Sequence, residues 1–321
     1  MTRLFTVGLA SLLLAAGNCH AILFYSTGST GFNTTAPTGP LANSGWQFQG
    51  NWGSVSGIPI APNYFITAKH INGNASTDFV FGGTTYDVIG SAYNDPAEGS
   101  DLQIWQVSGT FSTYAPLFTG TNEAGKSLVM FGRGTQRGTE VFLSGTSKGW
   151  EWGAGDEVRR WGENEVEGIF DGGAAYGHNL LGMTFSGTEG VNEGTYSTGD
   201  SGGGVFIFDG GVWKLAGINS WADGPYGLTN VPFQNSFLAS IYNQDGYYAD
   251  TLTGWQAVSG PGMIYATRIS SSQNWILSVI PEPSTWWLCL VAALCSVAFR
   301  RGYRREALAR IGGGVSRVQN S

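Results

Sequence analysis

Between Ile22 and Ile280 the apolar residues come in short bursts set apart by Gly, Asn, Asp and Ser, and with one exception they hold no helical period. The stretches "NYFITA", "DFVFGG", "TYDVIG", "LQIWQV", "SLVMFG", "GVFIF" and "VWKLAGI" are each of strand length. Their aromatic and β-branched content suits a pleated, half-buried surface. Turn residues recurring every ~8–12 positions predict an all-β sandwich or barrel rather than alternating strands and helices. The exception is "VPFQNSFLASIYN", Val231 to Asn243, which reads as a helix after the last strands. A polar stretch, "TGTNEAGK" from Thr119 to Lys126, separates two strand-rich halves. There is no internal repeat, and the 50 glycines are dispersed rather than periodic.

The two ends break this pattern. Arg3 followed by an almost wholly apolar run, Leu4 to Ala16, and then Cys19-His20-Ala21 predicts a secretory signal peptide over residues 1–21, cleaved after Ala21. At the other end, "VIPEPSTWWLCLVAALCSVAFRRGYRRE" runs from a Pro-Glu-Pro motif into an apolar segment, 286–299, and then into Arg300, Arg301, Arg304 and Arg305. A full membrane span needs about 20 residues, and the arginines are expected to stay cytoplasmic. These three ordered parts resemble the PEP-CTERM sorting signal, over residues 281–306, with 307–321 a short tail. The resemblance implies transient membrane insertion, processing by an exosortase and by signal peptidase, and a final place outside a Gram-negative cell, secreted or on its surface.

Charge and cysteine then bound the body, residues 22–280. It carries 9 basic against 21 acidic residues, a balance of −12, which argues against nucleic acid and anionic membrane as partners. All three cysteines, Cys19, Cys289 and Cys295, fall in the end segments, so no disulfide is expected in the body and its stability must come from packing.

The candidate chemistry begins at "YSTGDSGGGVFIF", Tyr196 to Phe208, where Asp200 and Ser201 are crowded by glycines ahead of a strand. A serine hydroxyl is a poor nucleophile until a neighbouring base takes its proton, and imidazole is the usual base. The body has two histidines. His70 ends a predicted strand in "PNYFITAKH", whereas His178 lies in the loop-like "GGAAYGHNLLG". An imidazole base in turn needs a carboxylate to fix its tautomer, and Asp101, just before the strand "LQIWQV", is placed to be drawn inward. Two histidines without a ligand cluster do not make a metal site, so neither metal nor other cofactor is expected.

In this order the stretches resemble those of trypsin/chymotrypsin-like serine proteases. "ITAKH" looks like the family's Thr-Ala-Ala-His-Cys box, "SDLQIWQV" is similar to its Asp-Ile-Ala-Leu box, and "GDSGGG" to Gly-Asp-Ser-Gly-Gly-Pro. "AGINSWADG" looks like the later Gly-Ile-x-Ser-Trp-Gly strand. The resemblance implies two antiparallel six-stranded barrels, about 40–118 and about 126–270, with the active site between them. It implies Ser201 as nucleophile, His70 as general base and then acid, and Asp101 as the orienting carboxylate. Gly199 and Ser201 would offer N–H groups to an oxyanion, and Ser220, Trp221 and Ala222 would pair with substrate backbone. Thr195, six residues before the nucleophile, would floor the primary pocket. Its neutral hydroxyl, with Ala222 where Gly is common, implies small or medium uncharged residues before the cut bond.

Departures are also visible. Lys69 and Ile71 flank the histidine, and Gly204 stands where the family usually has Pro. The family's activating N-terminus, Ile-Val-Gly-Gly, is absent; cleavage after Ala21 would expose Ile22-Leu23-Phe24-Tyr25, a poor match that leaves the partner of Asp200 open. The expected function is a secreted serine endopeptidase acting on protein or peptide substrates. The competing reading is a non-catalytic extracellular matrix or surface binding protein on the same scaffold, suggested by 12 tryptophans and the sorting tail.

Overall fold

The computed structural model describes residues 22–280; both expected targeting segments, 1–21 and 281–306, lie outside the described residues. In the first half, β1 (Gly50–Trp52), β2 (Val55–Ala61), β3 (Tyr64–Ala68), β4 (Phe79–Phe81), β5 (Thr84–Tyr86), β6 (Val88–Asn94) and β7 (Leu102–Val107) form one antiparallel sheet. Its order is β5-β4-β1-β2-β3-β7-β6. The two edge strands, β5 and β6, are one run of chain broken only at Asp87, so the sheet curls to join its own ends.

The second half repeats the device. There β8 (Ser127–Gly132), β9 (Arg160–Glu165), β10 (Gly168–Phe170), β11 (Leu180–Phe185), β12 (Gly204–Asp209), β13 (Val212–Ala222) and β14 (Gly262–Arg268) lie in the order β9-β8-β12-β13-β14-β11-β10. The edges β9 and β10 are separated only by Val166 and Glu167. Val166 N–H donates to Lys126 O beside β8 (3.0 Å), and Glu167 N–H to Gly182 O in β11 (2.9 Å), one bond to each side of the closure. With each broken strand taken as one, both barrels have six strands. The protein is thus all-β, a pair of antiparallel barrels of chymotrypsin-like form.

Each barrel has its own core. The first is aromatic: Phe65 and Phe79 stack at 4.0 Å, with Trp52, Trp105 and Phe111 around them. The second is mostly aliphatic, built on Leu128, Met130, Leu181, Met183, Val205 and Ile207. Fully burying such a side chain is worth roughly 1.5–3 kcal/mol, which suits a body without cross-links. In the segment that connects the two barrels along the chain, buried Glu123 accepts from Arg268 Nε and Nη2, both at 2.7 Å, and ties that segment to β14.

One expected element is absent. Val231–Asn243 forms no helix; Phe233 (φ 60°) and Asn235 (φ 49°) take the left-handed conformation, and Ala239–Ile241 pairs antiparallel with Gly149–Glu151. An apolar run of this length fits either period, and the free edge of the neighbouring strand decides the outcome. Among the described residues no helix is long and apolar enough to cross a membrane; segment 286–299 lies outside them.

Candidate active site

The register of the first barrel brings the first two residues together. In the pairing of β3 with β7, Ala68 faces Leu102, so the residues just beyond, Lys69 and Asp101, meet at the barrel's end. Lys69 N–H donates to Asp101 O at 2.8 Å, and a single 3₁₀ turn, Lys69–Ile71, then swings His70 over the carboxylate. His70 N–H donates to Asp101 Oδ1 at 2.8 Å, and Nδ1 lies 2.7 Å from Oδ2. The 31-residue spacing therefore holds β4, β5 and β6, an excursion that leaves the end of β3 and returns to the start of β7.

The second barrel supplies Ser201 from a tight turn. Asp200 N–H donates to Ser197 O (3.1 Å) and Gly203 N–H to Asp200 O (3.2 Å). Buried Asn219 on β13 staples this turn, its Nδ2 donating to Asp200 O at 3.0 Å and to Phe131 O at 2.7 Å. The first barrel presses on it from the other side. A Cβ on Gly202 (φ +79°) would sit 2.1 Å from Ser56 O and 2.3 Å from Thr67 Oγ1, so only glycine fits there. Ser56 N–H also donates to Ser201 O across the barrel boundary, at 3.3 Å.

So placed, Ser201 Oγ lies 2.7 Å from His70 Nε2. Asp101 is buried and its oxygens accept from His70 N–H and from Ser220 Oγ (2.6 Å), so the proton between Asp101 and the ring belongs on Nδ1. Nε2 is then left to accept from the serine. A bulge in the pairing of β13 with β14, between Asn219 and Trp221, turns Ser220 out of the ladder toward Asp101. The N–H groups of Gly199 (φ +94°) and Ser201 find no acceptor among the described residues. The set can lower the barrier to attack by a hydroxyl on an acyl carbon and hold the charge that develops.

These groups face a cleft of about 770 Å³ lined from both barrels, with Lys69 and His70 on one side and Tyr196–Ser201 and Ser220–Ala222 on the other. Trp221 is packed against Tyr176, ring centroids 4.3 Å apart. One sequence candidate, Thr195, stands elsewhere, and so does His178, which the sequence placed in a loop. Thr195 is buried, pairs with Leu23 and does not reach the cleft. His178 binds Asp171 Oδ1 (2.6 Å) at an exposed position off the cleft. Among the described residues no His, Cys, Asp or Glu cluster is arranged to hold a metal ion.

The structure also supplies the partner that the sequence left open. Asp200, buried, accepts from Ile22 N–H (3.1 Å), Gly134 N–H (2.8 Å) and Ser197 N–H (2.8 Å). Burial pushes its carboxyl up to about 6, against which these hydrogen bonds act. The cleavage site after Ala21 was a legible pointer to Ile22; the contact itself, across 178 positions, was not. Tyr176, Tyr196 and Trp152, which line the cleft, carried no sequence signal at all.

Comparison with known proteins adds nothing to this geometry: no protein-family model matches the chain, and no curated protein matches it either.

Proposed function

We propose that the protein is a secreted serine endopeptidase of trypsin/chymotrypsin-like type. The observation that carries this reading is the unbroken chain Asp101–His70–Ser201, with 2.7 Å at each side-chain step, at the mouth of a cleft between two barrels. Ser201 Oγ attacks the carbonyl carbon of a peptide bond while His70 Nε2 takes its proton, and Asp101 stabilises the imidazolium. The oxyanion is held by the N–H groups of Gly199 and Ser201. Collapse breaks the C–N bond as His70 returns the proton to the leaving amine. The acyl group stays on Ser201 until water, deprotonated by the same imidazole, releases the acid and restores the hydroxyl. The substrate's acyl-side backbone lies along Ser220–Ala222.

The same reading assigns residues 1–21 to export and 281–306 to sorting by an exosortase, leaving the enzyme secreted or at the cell surface of a Gram-negative bacterium. Intact mass of native material tests this: loss of both ends is expected, and a chain still ending at Ser321 contradicts it. For the activity, digestion of a peptide library by residues 22–280 should give products that the Ser201→Ala form does not. Equal digestion by both forms overturns the assignment.

A further inference from the structure

Asp95 is a buried carboxylate that does not line the cleft. It opens the loop 95–101, which joins β6 to β7 and ends on Asp101. Asp95 holds this loop from within. Its Oδ1 accepts from Ala97 N–H at 3.0 Å and its Oδ2 from Ser100 Oγ at 2.8 Å. Its own N–H donates to Leu102 O at 3.1 Å, and Ser100 N–H closes on Ala97 O at the same distance. A further donor comes from far along the chain: Ser272 Oγ, also buried, donates to Asp95 Oδ2 at 2.5 Å across 177 positions. Ser272 follows the end of β14, and its segment is rooted in the second barrel, where Ile269 N–H donates to Ala216 O at 2.9 Å. Gly99 (φ +66°) lies so close to the turn 173–177 that a Cβ on it would sit 2.6 Å from Gly173 O.

Resting on the endopeptidase reading, we propose that Asp95 is a positioning residue for the reaction. Through Ser272 it braces the loop that ends in Asp101 against the second barrel, and so sets how His70 meets Ser201. The three reacting side chains are divided between the barrels, so their distances depend on how one barrel is registered on the other. His70 takes its place from Asp101 through two contacts, N–H to Oδ1 and Nδ1 to Oδ2. Any slack in the loop 95–101 therefore passes to Asp101, then to the ring, then to the 2.7 Å step between Nε2 and Ser201 Oγ. A site carried on a loop is less precise than one on a strand unless surrounding hydrogen bonds lock it. Asp95 supplies that lock. All three donors to its carboxylate are uncharged, so what the group contributes is geometry, a fixed acceptor shared by the loop and the second barrel's C-terminal segment.

The test compares residues 22–280 with Asp95→Ala, Asp95→Asn and Ser272→Ala, using a peptide amide chosen from the library products. Asp95→Ala should lower kcat by roughly tenfold and leave KM within about twofold, since a small misplacement of a catalytic group costs rate rather than binding. Ser272→Ala, far from the cleft in sequence, should lower kcat by about fivefold, the worth of one hydrogen bond. Asp95→Asn should restore most of the rate, because its oxygen can accept from Ala97 N–H while its amide donates to the two hydroxyls. A second readout is the far-downfield Nδ1 proton resonance of His70 in the folded forms at acid pH. It should move in Asp95→Ala and Ser272→Ala and return in Asp95→Asn, whereas a residue that only stabilised the fold would leave it in place. If Asp95→Ala does not fold, Ser272→Ala and Asp95→Asn still expose the proposal. Wild-type kcat with an unmoved resonance in either folded alanine form, a change confined to KM, or an Asp95→Asn form as slow as a folded Asp95→Ala form overturns the inference and leaves the endopeptidase reading standing. Failure of the wild type to cleave any peptide beyond the Ser201→Ala background overturns both.

Discussion

Ser220 shows how finely single positions are set. Its hydroxyl shares Asp101 Oδ2 with the His70 ring, at 2.6 Å and 2.7 Å. Ser220→Ala should lower kcat by roughly fivefold, the worth of one net hydrogen bond of about 1 kcal/mol. Ser201→Ala and His70→Ala should each remove amide hydrolysis by ~10³-fold or more without unfolding the chain, and the double variant should be no worse than either alone, because such groups act as a unit. His178→Ala, off the cleft, should leave most of the activity; steady-state kinetics with circular dichroism on each variant checks all five. At this scale the sequence was a good guide to three side chains that local turns bring together. His70, Asp101 and Ser201 each stand beside a strand whose pattern places them. It was a poor guide to Thr195 and Tyr196, neighbours on one short segment. Which of the two faces the cleft depends on pairing with Leu23, some 170 positions away, and no local pattern carries that information.

Among the elements, the strands were legible because each presents apolar, β-branched or aromatic residues between turn formers. Their closure into barrels was not. The breaks at Asp87 and at Val166-Glu167 carry no mark in the local pattern, yet they let one strand serve both edges of a sheet. The run 231–243 failed for the opposite reason: its apolar positions satisfied a helix, and an unpaired edge at Gly149–Glu151 took it as a strand. The connecting segment 119–126 was read only as a polar divider, but it carries buried Glu123, held by Arg268 and Ser270. Burial alone would raise that carboxyl; the bonds from Arg268 and Ser270 outweigh it and hold the group below its ordinary value. Glu123→Ala leaves Arg268 buried and unpaired, and should cost about 3–5 kcal/mol. Urea unfolding midpoints measure this, and a change under about 1 kcal/mol would mean that the pair does not organise the join between the barrels.

For the whole molecule, the contact between Ile22 and Asp200 joins the start of the described chain to the turn that carries Ser201, and would link the proposed export step to that turn. With a peptide bond before Ile22, Asp200 faces an uncharged N–H, and its carboxyl sits at about 6, raised by burial. The folded chain then holds a proton that the unfolded chain releases. The stability from that proton is present at low pH and is lost as pH rises through about 6. The sum of the loss is roughly 3 kcal/mol for a shift of about two pK units. Removal of residues 1–21 replaces the N–H by an ammonium, which favours the ionised carboxylate and cancels the loss. Chains beginning at Ile22 should therefore be more stable near neutral pH than chains extended by a few residues before it, and the gap should shrink toward pH ~4. Unfolding midpoints across pH for both forms check this; parallel curves contradict it.

The central claim, that Ser201 is activated by His70 and Asp101, is tested most directly by intact-mass measurement after exposure to a serine-reactive fluorophosphonate. A single adduct mapping to Ser201 is expected for residues 22–280, absent in Ser201→Ala and strongly slowed in His70→Ala. A folded protein that takes no label, or takes it equally without His70, would contradict the account.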